Sequence, residues 1–198
     1  IIHGGHVVTV NGAYTCNNLD LGDATSGTTT LTVTTGNSLT INGAVRINPN
    51  NTASTYSLDA GAGTINMNGT FTSWSTSGTN SIRVSTGTFN ITPAITINAT
   101  TQNVTFTGAG TINFRNAFTD RYNKLVTFAS CVVNFYNNYT VNTTAASWAA
   151  KGTAVFKGSA SVVTPTTNLT LFNVQVDTNV TLASAAGTVV VGGNVVLS

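Results

Sequence analysis

Glutamate is absent from this sequence, and its 198 residues include only five acidic side chains, all of them aspartate. Charged residues make up 6% of the chain, whereas ordinary soluble domains contain about 25%. Asp20 and Asp23 are close in sequence but flank a glycine in a turn, and the others are isolated: Asp59, Asp120 and Asp177. Acid–base catalysis needs two suitable groups held a few ångströms apart, so we predict a non-catalytic protein.

Positive charge is sparse as well. The chain has seven Lys and Arg residues and a net charge of +2, and the closest basic group is Arg115, Arg121 and Lys124. Nucleic-acid binding needs a dense basic stripe, so no nucleic-acid partner is predicted. The small net charge leaves little repulsion between copies and therefore favours association.

Long apolar runs and clusters of metal ligands are also missing. No apolar stretch approaches the roughly 20 residues of a membrane-spanning helix. His3 and His6 have no Cys, Asp or further His close enough in sequence to complete a metal site, so no cofactor is predicted. Cys16 and Cys131 are several repeats apart, on the order of 24 Å at one strand spacing per repeat. That distance excludes a disulfide between them. We expect two buried thiols or, alternatively, a bridge between copies.

The sequence does contain a short recurring motif, called the phrase below. It reads Gly-Thr-Ile-Asn-Met from Gly63, Gly-Thr-Phe-Asn-Ile from Gly87 and Gly-Thr-Ile-Asn-Phe from Gly110. Further copies start at these positions: Asn37, Cys131, Gly152 and Gly187. Most copies start about 20 to 26 residues apart, which is typical of a solenoid in which each turn adds one layer.

Apolar and polar residues alternate within each copy, as expected of a strand with one buried face. Two more short strands follow in most repeats. We therefore predict one all-β domain over residues 1–198, a right-handed parallel β-helix of about eight turns with three strands per turn. Towards the C-terminus, Leu169 and Val189 are aligned with the column of Ile112, and Val174 with the strand after it. The turn after Trp148 is predicted to lack its third strand.

One polar column lies between the two inward columns and is predicted to point outward. Its members are Thr40, Asn66, Asn90, Asn113 and Asn134. Stacked amides can hydrogen-bond along the ladder, which is a structural role. The functional alternative is a flat polar face that docks sugars or ice. Ice binding requires Thr at the same position in successive turns, which this sequence does not have.

Both ends of the sequence read as strand, and neither offers an amphipathic helix as a cap. The chain starts at Ile1 instead of Met, which indicates a processed terminus or a cut boundary. Either it belongs to a longer solenoid, or its ends meet neighbouring subunits. The candidate assembly residues are Ile1, Ile2, Val8, Val10, Val189, Val191, Val195 and Leu197.

The opening segments carry a resemblance. Residues 1–10 read I-I-H-G-G-H-V-V-T-V, residues 18–22 read N-L-D-L-G, and residues 30–34 read T-L-T-V-T. This pattern resembles the start of β-helical modules in large secreted surface proteins of Bacteroidetes-type bacteria and, more loosely, other bacterial adhesin solenoids. The resemblance implies a secreted protein at the cell surface with a structural or adhesive role, and it assigns no functional residue.

Two functions follow as hypotheses. The first is a non-catalytic extracellular subunit that stacks end to end with copies of itself into a surface filament or an adhesin stalk. The alternative is a module that binds or degrades polysaccharide, with glycans or host cell surfaces as partners. Its candidate sugar contacts are the aromatic side chains of Tyr122, Tyr136 and Trp148.

Overall fold

The computed structural model describes residues 1–23, 25–50, 53–73, 78–97, 104–120, 126–141, 147–148, 152–158, 161–165, 169–182 and 188–198. Within these ranges every regular element is a β-strand and no residue is helical. No helix of the described ranges could therefore cross a bilayer.

Twenty-six short strands follow one another along the chain. They are β1 (Val7–Val10), β2 (Ala13–Cys16), β3 (Leu19–Leu21), β4 (Thr29–Val33), β5 (Ser38–Ile41), β6 (Val45–Ile47), β7 (Thr55–Asp59), β8 (Thr64–Met67), β9 (Phe71–Ser73), β10 (Thr79–Arg83), β11 (Thr88–Ile91), β12 (Ile95–Ile97), β13 (Val104–Thr107), β14 (Thr111–Phe114), β15 (Phe118–Asp120), β16 (Val126–Ala129), β17 (Val132–Phe135), β18 (Tyr139–Val141), β19 (Ser147–Trp148), β20 (Thr153–Phe156), β21 (Ser161–Pro165), β22 (Leu169–Leu171), β23 (Asn173–Val176), β24 (Val180–Leu182), β25 (Val189–Val191) and β26 (Val195–Leu197).

Successive strands belong in turn to the three faces of a coil. One nine-stranded sheet, here called face A, has the order β1-β4-β7-β10-β13-β16-β19-β22-β25, and a second, face B, has the order β2-β5-β8-β11-β14-β17-β20-β23-β26. The third face, face C, consists of β3-β6-β9 and, separately, β12-β15-β18-β21-β24. Neighbouring strands in faces A, B and C are parallel throughout, for example β8 with β11 and β11 with β14. The prediction of an all-β parallel β-helix is confirmed.

Alternation explains why these residues form the core. On face B the second inward column continues from strand to strand without a change of register, and its central members are buried aromatic rings. Its members from β2 to β26 are Cys16, Ile41, Met67, Ile91, Phe114, Phe135, Phe156, Val176 and Leu197. One turn has no neighbour to cover its apolar face, whereas stacked turns share one interior.

Glycine marks the corner that leads into face B. Gly63, Gly87 and Gly110 immediately precede β8, β11 and β14, and they stack on one another. A Cβ atom at Gly87 would overlap the carbonyl oxygen of Gly63, and one at Gly110 would overlap that of Gly87. Only glycine allows the backbones of successive turns to approach so closely here. The recurring Gly of the sequence phrase is therefore a packing requirement.

The sequence alignment is wrong after Phe156. Leu169 and Val189 lie on face A, and Val174 is the residue that continues the face B column of Ile112. The strand predicted to be missing after Trp148, the third of its repeat, is present as β22 on face A, and the alignment had assigned it to the next repeat. The repeat is short because a single residue, Phe172, joins β22 to β23. The alignment therefore left out one strand, because the corner between β22 and β23 is a single residue long.

Candidate functional site

The two ends of the coil expose its apolar side chains. Within the described ranges, every large hydrophobic residue classed as exposed belongs to the first 14 or the last nine residues. They are Ile1, Val7, Tyr14, Val190, Val195, Val196 and Leu197. Exposure reaches 78% at Leu197 and 73% at Val7. This clustering makes the two ends the candidate contact surfaces of the described residues.

The C-terminal end opens into the interior. An apolar cavity of about 200 Å³ lies among the last strands of all three faces, and its wall contains almost no polar surface. Its lining residues are Phe156, Leu171, Val174, Val176, Val180, Val189 and Val191. In the middle of the coil the equivalent space is filled by the next turn. The last strands, β25 and β26, add to faces A and B, while the last described strand of face C is β24.

At the N-terminal end, in contrast, face C begins before faces A and B. Ile2 forms a parallel bridge with Leu21, so a short piece of face C precedes β1. The amide of Ile2 donates to the carbonyl of Asp20 at 2.8 Å, and Gly22 donates to the carbonyl of Ile2 at 2.8 Å. These contacts place Ile2 as the first layer of face C at this end.

A carboxylate anchors this N-terminal segment. Asp23 lies 2.6 Å from the Nδ1 atom of His3 and accepts from the amides of Gly4 and Thr25 at 3.1 and 2.8 Å. The hydrogen bond to His3, followed by those two backbone bonds, holds the pKa of Asp23 well below its ordinary value. His3 and Asp23 therefore fasten the end of the chain to the turn above it.

The sequence-predicted assembly residues fall into three groups by exposure. Val195, Leu197 and Ile1 are exposed, whereas Val10 is buried. The remaining four are half-buried: Ile2, Val8, Val189 and Val191. Sequence reasoning missed four exposed positions, namely Val7, Tyr14, Val190 and Val196. A signal existed, because both terminal strand regions contain consecutive apolar residues, which places apolar side chains on both faces of a strand.

The polar column on face B forms a hydrogen-bonded ladder. Asn90 donates to Asn66 at 2.8 Å, Asn113 to Asn90 at 2.8 Å and Asn134 to Asn113 at 2.7 Å. Asn66 approaches the hydroxyl of Thr40 at 3.4 Å. All the side-chain amides point the same way, and Asn113 and Asn134 are buried. The side-chain amides thus hydrogen-bond to one another, so fewer of their donors and acceptors are available to an external ligand.

A second polar row lies at the corner between faces B and C. It consists of the residue that immediately follows each face B strand. The guanidinium of Arg115 lies 4.2 Å from the ring centre of Tyr136, a cation–π contact. Lys157 is 3.2 Å from Asp177, which also accepts from Gln175 and Ser198 at 2.6 and 2.7 Å. One face of the Tyr136 ring is therefore occupied. Of the other aromatic candidates, Tyr122 and the side chain of Trp148 lie outside the described residues.

The acidic side chains are distributed singly over the coil. Asp20 makes a two-pronged pair with Arg46 at 2.6 Å, and Asp59 lies 3.9 Å from Arg83. Asp120 is fully buried on face C, in the column of Ile97 and Val141. Neither of its carboxylate oxygens has a hydrogen-bond partner in the described part of the chain. Burial raises the pKa of Asp120 to about 7.

The described residues contain no group of three or more His, Cys, Asp or Glu side chains that could hold a metal ion. Both cysteines are free thiols, with Cys131 buried and Cys16 half-buried on β2. Burial raises the pKa of the Cys131 thiol to about 11 and also raises that of Cys16. The predicted alternatives for the cysteines, buried thiols or a bridge between copies, both stay open for Cys16.

Comparison of this chain with protein-family models, with curated proteins and with solved structures finds no match. The resemblance to secreted bacterial surface modules stays a prediction from the opening segments.

Proposed function

We propose that this chain is a non-catalytic structural subunit of an extracellular filament or adhesin stalk, in which copies of the coil stack end to end. The observation that carries the proposal is the confinement of exposed large apolar side chains to the two ends. A layer added at either end would bury the inward-facing members of this set, Tyr14, Val195 and Leu197, at roughly 25 cal/mol for each Å² of apolar surface removed from water.

Edge strands supply the second part of the argument. At each end, β1 and β2 or β25 and β26 are the outermost strands of faces A and B. An outermost strand presents unpaired N–H and C=O groups, which another strand can pair with. Low charge leaves few like-charged side chains to prevent that pairing. Head-to-tail contacts that do not close into a ring produce open filaments.

The finer architecture belongs to this proposal. The subunit is a right-handed coil of about eight turns with three short strands in each. Faces A and B with nine strands each, and face C with three plus five, support that arrangement. The secreted location rests on the resemblance of the opening segments to bacterial surface modules.

The test is the state of assembly in solution. We expect negative-stain electron microscopy of the protein to reveal unbranched filaments one coil wide, and fibre diffraction from them to show a strand spacing of about 4.8 Å along the axis. Leu197→Lys places a charge on the exposed terminal strand and should abolish them. Thr96→Lys, at an exposed outward position in the middle of face C, is the matched control and should assemble normally. Monodisperse single coils at all concentrations would refute the proposal.

Polysaccharide binding is the second candidate, and the exposed Arg115 beside Tyr136 is the observation that favours it. A guanidinium in this position can donate two hydrogen bonds to a uronate carboxylate. Binding to acidic glycans on an array that disappears with both Arg115→Ala and Tyr136→Ala would support this function. Absence of binding across a broad array would remove it.

A further inference from the structure

We propose that the stack has one specific register: each inward column of one copy continues into the same column of the next copy. This inference rests on the proposed end-to-end stacking and adds which residues meet. The partner is a second copy of this chain, placed head to tail. Val191 then lies beside Val8 of the next copy, Val195 beside Tyr14, and Leu197 beside Cys16.

Strand direction makes this arrangement possible. All neighbouring strands of faces A and B are parallel, so β25 and β1 run the same way, as do β26 and β2. A second copy can therefore be added by continuing the coil, and both faces gain their next strand at the same time. No reversal of the copy and no change of strand type is needed.

The columns define the register. On face B, stepwise pairing connects Tyr14 to Leu39 at one end and Val174 to Val195 at the other, with the first inward column unbroken between them. The second inward column runs in the same way from Cys16 to Leu197. A shift by one residue would turn the inward side chains of β1 and β2 outward and bring Thr9 and Thr15 inward, so these two polar residues oppose it.

Face C supplies complementarity between the ends. The C-terminal end has strands β25 and β26 but no described face C strand above β24, and the apolar cavity opens beside it. The N-terminal end carries the complementary piece, because Ile2 already occupies a face C position before β1. In the continued coil, Ile1 and Ile2 of the next copy begin the next face C layer and cover part of the cavity.

Charge does not oppose the contact. Near the N-terminal end, Asp20 pairs with Arg46 and Asp23 with His3. At the C-terminal end, Asp177 pairs with Lys157. The described Asp, Arg and Lys side chains near both ends are thus already paired within one copy, and the surfaces that meet are mainly apolar.

A cysteine pair tests the register directly. Directly opposite residues on adjacent parallel strands are about 4.8 Å apart, which is within the Cα–Cα range of a disulfide. The Leu197→Cys variant should therefore link to Cys16 of the next copy when glutathione disulfide is added. Each link forms as two thiols lose two protons and two electrons, which reduce one glutathione disulfide to two glutathione molecules. We expect a ladder of covalent oligomers on non-reducing gels that collapses on reduction.

Three variants serve as controls. Leu197→Cys with Cys16→Ser should give no ladder, which excludes the buried Cys131 as the partner. Val196→Cys places the thiol on the outward side of the same strand and should not link. Val195→Cys should also not link, because it faces Tyr14 in the proposed register.

The outcomes separate this inference from the proposed function. Filaments with Leu197–Cys16 linkage support both. Filaments in which Val195→Cys links to Cys16 reveal a register shifted by two residues and overturn the inference while leaving the stacking intact. Filaments that link through none of these variants overturn it as well. A protein that forms no filaments and no ladder overturns the stacking itself.

Discussion

The middle turns and the last turn of the coil are built from the same kind of sequence, yet their apolar side chains differ in solvent exposure. Phe135 and Leu197 belong to one inward column of face B, and Phe135 is 1% exposed whereas Leu197 is 78% exposed. Phe135 stacks on Phe114 and Phe156 with ring centres 5.5 and 5.6 Å away. The terminal strand has a layer on one side only.

This difference teaches that burial in the coil is a property of position in the stack. A residue with a turn above and a turn below is enclosed, and the same residue type at an end is not. Within residues 1–198, the first and last strands therefore lack the second neighbour that encloses the interior turns. Stability and assembly should separate cleanly between the two regions.

Removing a ring from the middle should produce the largest effect. Phe135→Ala deletes a fully enclosed aromatic side chain and should lower the free energy of unfolding by about 3–5 kcal/mol. Leu197→Ala, in the same column at the end, should change it by less than about 0.5 kcal/mol in dilute solution. Urea denaturation at low protein concentration measures both. Equal losses for the two variants would contradict the comparison.

The buried carboxylate is an exception within the interior, and it sharpens the comparison through pH. Because the pKa of Asp120 is raised to about 7 in the folded protein, the folded state binds more protons than the unfolded state between about pH 4 and pH 7. Stability should therefore fall as pH rises through this window and level off above it. Asp120→Val matches the neighbouring Ile97 and Val141 and should raise the free energy of unfolding at pH 8 by about 2–4 kcal/mol.

Denaturation curves at pH 4, 6 and 8 would measure the effect of Asp120. Asp23 does not interfere, because its pKa is lowered on folding and its contribution is lost only as pH falls below the ordinary aspartate range. A pH slope that persists unchanged in Asp120→Val would show that another group titrates.

Much of the fold could be predicted from sequence, and the reason is visible in the glycine corner. From Gly63 to Gly110 the phrase recurs with Gly at the point of closest backbone approach, so the alignment of face B followed from one packing requirement. The Asn90 row was predictable for the same reason, because it alternates with the inward residues. Both signals are local and occur together in the three central copies, which start at Gly63, Gly87 and Gly110.

The failures share a physical cause. All three faces use the same alternation of apolar and polar residues, so the pattern identifies a strand without identifying its face. Face identity depends on how many residues turn each corner, and the single-residue corner at Phe172 carries no sequence mark. Inward polar residues were missed likewise: Asn80 donates to Ser73 at 2.7 Å inside the core, and no pattern of apolar residues reveals such a pair.

The smallest predicted effect concerns the amide ladder, where the middle and end of one row can again be compared. Asn90→Ala removes one donated and one accepted hydrogen bond in the middle of the row and should cost about 1–3 kcal/mol. Thr15→Ala, in the same row on the terminal strand β2, should be nearly neutral because Thr15 is exposed. Thermal melts of both variants give the difference, and a neutral Asn90→Ala would mean that water replaces the ladder at no cost.

The stacked glycines have a consequence for how such a chain changes over time. A segment that runs from one corner glycine to the next carries everything a layer needs, including its own close approach to the layers on either side. Tandem duplication of such a segment would lengthen the rod without disturbing its cross-section. The length of the coil can therefore change while its cross-section stays the same.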